Sequence, residues 1–230
     1  MKQRTRAGRL AALDAWLLRR ASSFPTGLFV DVGYGESAVT TLEWARSLRT
    51  VNPSARVVGL DLHAPPALPS NEVELHQGGF EACARFSPAA VVRAMNVLRG
   101  YREEEVAPAR AQLSAGLAEG GVLIEGSTDT DGHVLVAWVQ PKQGARSLLF
   151  HTDFERGFSP WLFRDWLPRD LRRGVKAGTA VFELLTAWEA RAAASGATSP
   201  AERFARSLDG VPGLEADAWE RAHGFARWVP

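Results

Sequence analysis

The stretch Gly27–Thr41, G-L-F-V-D-V-G-Y-G-E-S-A-V-T-T, constrains this chain more than any other. Leu28, Phe29, Val30 and Val32 surround a single acid, Asp31; Gly33-Tyr34-Gly35 then break the run before a helix-like pattern starts at Ser37. An apolar run of that length reads as a strand buried on both faces of a parallel sheet. Two glycines one residue apart let the backbone turn sharply and approach a ligand, because neither carries a Cβ. The amides that open the next helix face the same ligand. The stretch therefore reads as a cradle for a cofactor.

The next hundred residues repeat that grammar. The spacing predicts a helix from Ser37 to Arg49, stopped by Asn52-Pro53, and a second buried strand over Ala55–Leu62 with Asp61 near its C-terminal end. The prolines between His63 and Asn71 exclude a regular helix there. A short strand over Val73–His76, a Gly78-Gly79 turn, a short helix from Phe80 to Phe86 and a fourth strand over Ala89–Val97 come next. Tyr101–Leu117 predicts a helix, acidic in its first turn as the dipole favours, with a kink or late start at Pro108 and a cap at Gly120-Gly121. Val122–Gly126 is a fifth strand. Strands alternating with helices over short connections predict a doubly wound α/β sheet, mostly parallel, with helices on both faces.

The rhythm then changes. His133–Val139 and Ser147–Asp153 are strand-like, and Asp131-Gly132 before the first is a hairpin signal, so that strand should run antiparallel to the fifth. From Arg156-Gly157 the pattern reads as helical to the end, in pieces near 160–171, 179–194, 200–208 and 215–227. Leu10, Leu13, Leu17 and Leu18 give a further amphipathic helix within Gly8–Ala21. The organisation expected is one domain: an N-terminal helix over 1–26, a cofactor-binding sheet core over 27–156 and a helical extension over 157–230.

The totals narrow the class. With 230 residues, 46% of them apolar, the chain can bury a full core, and a net charge of +1 gives no global signature of a nucleic-acid or membrane protein. No apolar run approaches the ~18 residues of a membrane span. The basic N-terminus (Lys2, Arg4, Arg6, Arg9) lacks the apolar core of a leader, so a cytoplasmic location is expected. The single cysteine, Cys83, excludes an internal disulfide and a cysteine-built metal site, and His63, His76 and His151 are too dispersed for a metal.

A glycine turn after the first strand serves NAD and S-adenosylmethionine alike, and G-x-G-x-x-A over Gly33–Ala38 is a weak signal alone. Asp31, two residues before the first glycine, can answer the charge of a methionine ammonium. Asp61 can accept from both ribose hydroxyls. Taken in order, D-V-G-Y-G-E-S, V-V-G-L-D-L, H-Q-G-G-F-E, V-V-R-A-M-N-V-L and L-A-E-G-G-V-L-I-E-G resemble the successive motifs of class I S-adenosylmethionine-dependent methyltransferases, over about Leu28–Asp153. The resemblance implies a Rossmann-like seven-stranded sheet with an antiparallel strand near one edge, and S-adenosyl-L-methionine at the C-terminal ends of the parallel strands. Position by position, it places Asp31, Gly33, Tyr34 and Gly35 at the methionine end and Asp61 on the ribose, with Leu62 beside the adenine. Gly79 and Phe80 fall at the adenine position, and Asn96 and Val97 at the sulfonium end. Four features depart from the pattern: Ser37 stands for a third glycine, a proline-rich loop replaces a helix after the second strand, Phe80-Glu81 stands where relatives place an acid for the adenine amino group, with Glu81 the candidate for that role, and a hairpin follows the fifth strand.

The resemblance implies a methyltransferase whose acceptor the motifs do not name, a small molecule being favoured over RNA or protein. Methyl transfer needs alignment more than a universal catalytic group, and a base only where the nucleophile arrives protonated. Glu125, Asp129, Asp131 and His133 cluster at the exit from the fifth strand, where turn-forming roles are favoured for the two aspartates. Phe154–Arg173 is dense in aromatics and arginines, which is compatible with an RNA base or an anionic aromatic ligand, but its interleaved acids favour packing of the rings. The last helices are placed to cover the sheet end or to pair in a homodimer. Two other readings stay open: an NAD(P)-binding oxidoreductase on a related sheet, and a methyltransferase-like binding module without catalysis.

Overall fold

The computed structural model describes residues 6–66 and 72–230; Lys2, Arg4 and Pro69 lie outside the described residues. The five predicted parallel strands are present as β1 (Leu28–Val32), β2 (Arg56–Asp61), β3 (Glu74–Gln77), β4 (Ala89–Met95) and β5 (Leu117–Thr128). β1 lies between β2 and β4, with β3 outside β2 and β5 outside β4, all four pairings parallel. The chain then turns back as β6 (Val134–Pro141), antiparallel to β5, and again as β7 (Ser147–Thr152). The expected hairpin is therefore present.

Two elements depart from the sequence reading. The sheet has nine strands rather than seven, because the C-terminal segment, expected to be wholly helical, supplies β8 (Leu214–Glu215) and β9 (Phe225–Trp228). β9 pairs antiparallel with β7 and extends the sheet to the order 3-2-1-4-5-6-7-9-8. Its alternation, Phe225 and Arg227 to one face, Ala226 and Trp228 to the other, is only four residues long and is hidden behind the preceding helical pattern. Even so, only β6 and β9 run against the remaining strands. The second departure is Gly120-Gly121, which lies inside β5 and not at a helix cap. Between Ala89 and Val91 of β4 the partner strand advances from Leu117 to Val122, a bulge with Gly120 at φ +75°.

Helices cover both faces, as expected. On one face α1 (Ala11–Leu18) and α2 (Val39–Val51) pack Leu13, Trp16, Leu17, Trp44 and Leu48 against Phe29, Val57 and Val91. On the other, α3 (Glu103–Ser114) sets Val106 and Leu113 over Val30, Val58, Val92 and Leu123. α3 begins at Glu103 and continues through Pro108. Farther along that face, beneath β6, β7 and β9, lie α4 (Arg169–Arg172), α5 (Ala180–Ala194) and α6 (Pro200–Ser207), with Trp188 and Phe204 at the centre of an aromatic cluster. The short α7 (Ala218–Ala222) is fixed by a reciprocal cap: Glu220 N–H donates to Asp217 and Asp217 N–H to Glu220. Glu220, fully buried, also accepts from the Trp16 indole, which ties α7 to α1.

Among the described residues no helix is long and apolar enough to cross a membrane. Among the described residues the exposed large apolar side chains are Val51, Leu62 and Val229, none of them in α4, α5 or α6.

Candidate functional site

The turn after β1 is built as its glycines require. Gly33 and Gly35 both have positive φ, +82° and +69°. A Cβ on Gly33 would lie 2.6 Å from Val97 Cγ2, so glycine is needed there for space as well as conformation. The Gly35 N–H donates to Asp61 Oδ2 at 3.0 Å, and Asp61 Oδ1 accepts from the His63 N–H at 2.9 Å and lies 2.8 Å from His63 Nδ1. Asp61 thus fastens the glycine turn to the end of β2. Burial pushes its carboxyl up, but the His63 amide and ring and the Gly35 amide outweigh burial and hold it below the ordinary range. A carboxylate offers about four lone-pair sites, so these contacts leave capacity for a ligand hydroxyl.

Beside Asp61 a cavity of about 300 Å³ opens at the carboxyl ends of β1, β2, β3 and β4. This is the crevice where the strand order reverses, the usual ligand position in an open α/β sheet. Gly33, Asp61, Leu62, Gly79, Phe80 and Val97 line it, six of the ten positions expected at the cofactor. Phe80 and Tyr101 meet with ring centroids 5.5 Å apart and form an apolar wall, while Leu62 stands 64% exposed at the rim. Glu81 also lines the cavity, with Oε1 accepting from the Gly79 N–H at 3.0 Å. Tyr101 was invisible to motif spacing: a lone tyrosine before a helix carries no signal of its own.

The other four expected positions lie elsewhere. Tyr34 is 1% exposed, with its hydroxyl donating to the His63 carbonyl at 3.3 Å, so it braces the loop beyond β2 from below. Gly35 contributes its amide to Asp61 and does not line this cavity. Asn96, at φ +63°, accepts from the Thr128 N–H at 3.1 Å and joins the ends of β4 and β5. With Asp31 and Gly33 it borders a cleft of about 30 Å³, room for little more than a water. Arg9 borders that cleft too and donates to the carbonyls of Thr128 and Asp129.

Asp31 is committed to the protein interior. The Arg93 guanidinium on β4 donates to it through Nε and Nη2, both at 2.8 Å, and the Thr41 hydroxyl adds a bond of 2.6 Å to Oδ2. Arg93, wholly buried, also donates to Asp14 of α1 at 2.5 Å and to the Thr40 carbonyl, and lies 4.1 Å over the Trp44 ring. Two acids thus share one cation in the core. Burial pushes the Asp14 carboxyl up to about 7 against the pull of Arg93. A signal for this cluster exists in the sequence: Arg93 is the one charge in the strand A-A-V-V-R-A-M. A charge at such a position needs a partner.

The residues at the exit of β5 divide. Glu125 is 1% exposed on the α3 face, accepting from Arg110 at 2.9 and 2.6 Å, with burial pushing its carboxyl up. It takes no part in the carboxyl-edge cavities. Asp129 shapes the hairpin by accepting from the Gly132 N–H at 2.8 Å. Asp131 pairs with Arg6. His133 Nδ1 lies 2.6 Å from Asp153 Oδ2. In the aromatic segment Phe163 is buried against Trp188, Trp161 packs on Phe182, and Asp170 accepts from Arg110. Those rings serve the core.

No family model and no curated protein matches the sequence. Similar solved structures include magnesium protoporphyrin IX methyltransferase from Synechocystis with bound S-adenosylhomocysteine: 19% identity, 51% of this chain and 53% of that chain, TM-score 0.40. The CcbJ methyltransferase from Streptomyces caelestis gives 19% identity over 63% of this chain and 64% of that chain, TM-score 0.40. The sugar N-methyltransferase KedS8 from Streptoalloteichus gives 20% identity over 63% and 61%, TM-score 0.39. The likenesses thus span from about half to under two thirds of those chains. Overlaps this partial leave the reading of the site to its own geometry.

Proposed function

We propose that the chain is an S-adenosylmethionine-dependent methyltransferase acting on a small molecule, with the nucleoside of its cofactor held in the Asp61 cavity. The observation that carries this reading is the position of Asp61. It ends β2, anchors the glycine turn and lines a cavity walled by Leu62, Phe80, Val97 and Tyr101 at the strand-order reversal. Those residues fit a nucleoside: a carboxylate for ribose hydroxyls and apolar faces for a base. Bound there, S-adenosylmethionine supplies a methyl carbon activated by a positive sulfur. The protein has to add alignment and the exclusion of water.

The oxidoreductase reading requires a second mononucleotide-binding half after β5, and the chain turns back into a hairpin instead. The occupied Asp31 carboxylate leaves the methionine ammonium to other partners at that end of the site. Calorimetry with S-adenosylmethionine, S-adenosylhomocysteine and NADH tests the proposal. S-adenosyl compounds are expected to bind and NADH not. Asp61→Ala removes charge-assisted bonds of ~1.5–3 kcal/mol and should weaken binding roughly tenfold to a hundredfold. Absence of S-adenosyl binding, with Asp61→Ala changing nothing, sinks the reading; binding without turnover on a broad acceptor panel favours the non-catalytic module.

A further inference from the structure

The carboxyl edge of the sheet carries a second, larger cavity of about 450 Å³, which shares no lining residue with the Asp61 cavity. The small cleft of about 30 Å³, which shares Val32 and Gly33 with the Asp61 cavity, and the larger cavity flank one stretch of backbone. Arg9 and Leu10 border the cleft beside Gly33, while Gly8 and Ala11 border the larger cavity.

Its walls select for shape. One side is the α1 face bearing Ala11, Ala12 and Ala15; the other holds Trp219 and Phe225. These belong to a row of near-parallel rings, with His151 at 27° to Phe225, Phe225 at 21° to Trp219 and Trp219 at 16° to His223. Small side chains facing a row of stacked rings leave a slot, and its volume lies in the range of small-molecule sites. The walls also select for charge. Among the described residues no lysine or arginine lines the cavity, whereas Asp153 and the Arg6-paired Asp131 do, so an anionic ligand is disfavoured.

The polar groups converge on one chemistry. His133 Nδ1 is turned to Asp153, which fixes the ring and leaves Nε2 without a partner among the described residues. Farther in, His151 is 4% exposed and its Nδ1 is buried with no partner among the described residues. The bond to Asp153 raises the His133 pKa above its ordinary value; Asp153 and Asp129 act in the same sense, and Arg156 opposes them.

We propose that this cavity is the acceptor site, taking a neutral, planar aromatic compound with a hydroxyl whose proton passes to His133 Nε2. The O–H electron pair stays on oxygen, so a phenolate forms beside an imidazolium that Asp153 holds in place. The oxygen is then the nucleophile that a methyl transfer needs. The word acceptor rests on the methyltransferase reading; the ligand class rests on the cavity alone.

The test uses 7-hydroxycoumarin, whose phenol and phenolate have separate excitation bands, against its anionic relative 7-hydroxycoumarin-3-carboxylate. The neutral probe is expected to bind and to show the phenolate band at a pH where the free probe is mostly phenol. The carboxylate should bind roughly tenfold more weakly or worse. Ala15→Trp, which fills the slot, should abolish binding, and Ala11→Phe at an exposed position repeats the test if Ala15→Trp fails to fold by circular dichroism. His133→Asn should bind within about threefold of the parent but lose the phenolate band. Equal binding of both probes, no binding, or binding unmoved by the filled slot overturns the site. A phenolate band that survives His133→Asn overturns the assignment of the base. S-adenosylhomocysteine titrated into the same samples reports on the cofactor reading separately, since its cavity is another.

Discussion

The most exacting test of the architecture around the first strand is Arg93→Met. Its guanidinium makes two bonds to Asp31, one to Asp14 and one to Thr40, with no exposed surface. Methionine keeps most of the volume and removes every donor, leaving two carboxylates in the core, 3% and 4% exposed. Breaking a buried pair by removing one partner costs about 3–5 kcal/mol. For a chain of this size each kcal/mol moves Tm by roughly 2–4 °C, so thermal denaturation followed by circular dichroism at pH 8 should show a fall of roughly 6–20 °C. The loss must depend on pH. Arg93 lowers the Asp14 pKa, so its removal raises that carboxyl further above the value it has unfolded. A folded-state pKa raised above the unfolded one gives a penalty absent at low pH and complete only above the folded value. The deficit relative to the parent protein should therefore be smaller at pH 5 than at pH 8. Adding Asp14→Asn and Asp31→Asn to Arg93→Met should restore at least half of it at pH 8. A fall below roughly 3 °C, or an equal fall at both pH values, refutes the account of a shared, under-compensated cation.

Two further outcomes rest on the same geometry. Burial pushes the His151 imidazole down to about 4, against the favourable pull of Asp153. Its contribution, about 3 kcal/mol, is full above the unfolded value near 6.5 and is lost as pH falls through 4. Melting curves of the parent should steepen their decline over that window, and His151→Leu should flatten it; parallel curves would falsify the assignment. Because the Asp31 carboxylate is buried against the Arg93 guanidinium, Asp31→Asn should alter the preference for S-adenosylhomocysteine over 5′-methylthioadenosine by less than about threefold in calorimetry, whereas a tenfold change, near 1.4 kcal/mol, means the carboxylate does hold the ammonium.

Legibility in the sequence tracks the physical range of each interaction. β1 to β5 are runs of apolar residues punctuated by Gly, Pro and Asn, and runs of that kind are local facts, as is the Asp131-Gly132 hairpin. β9 is not local in that sense. Four residues become a strand because β7 presents an unpaired edge, and that edge exists only once the sheet has formed. Gly120-Gly121 failed as a helix stop for a related reason. A glycine pair marks a break in regular geometry, and a bulge in β5 breaks it as well as a cap does.

The site divides along the same line, and Asp31 is the instructive residue. Asp61 was legible because its role is local: it ends a strand and reaches the turn across the adjacent strand, within the βαβ unit that the sequence announces. Asp31 sits at an equally suggestive place, but its partners are Arg93 of β4 and Thr41 of α2. In register, Asp31 lies directly beside Arg93 in the parallel pair, so the two side chains point to the same face. A carboxylate at the end of a first strand can face a ligand or face its neighbour in the sheet, and the motif is the same in both cases. The deciding fact is a charge 62 residues away in an otherwise apolar run. Charges in buried strands have to be matched before they are assigned to ligands. Applied to this sequence, that order of reasoning pairs Arg93 with Asp31 first, leaves Asp61 as the acid to assign to a cofactor, and removes the apparent ammonium partner from the glycine turn.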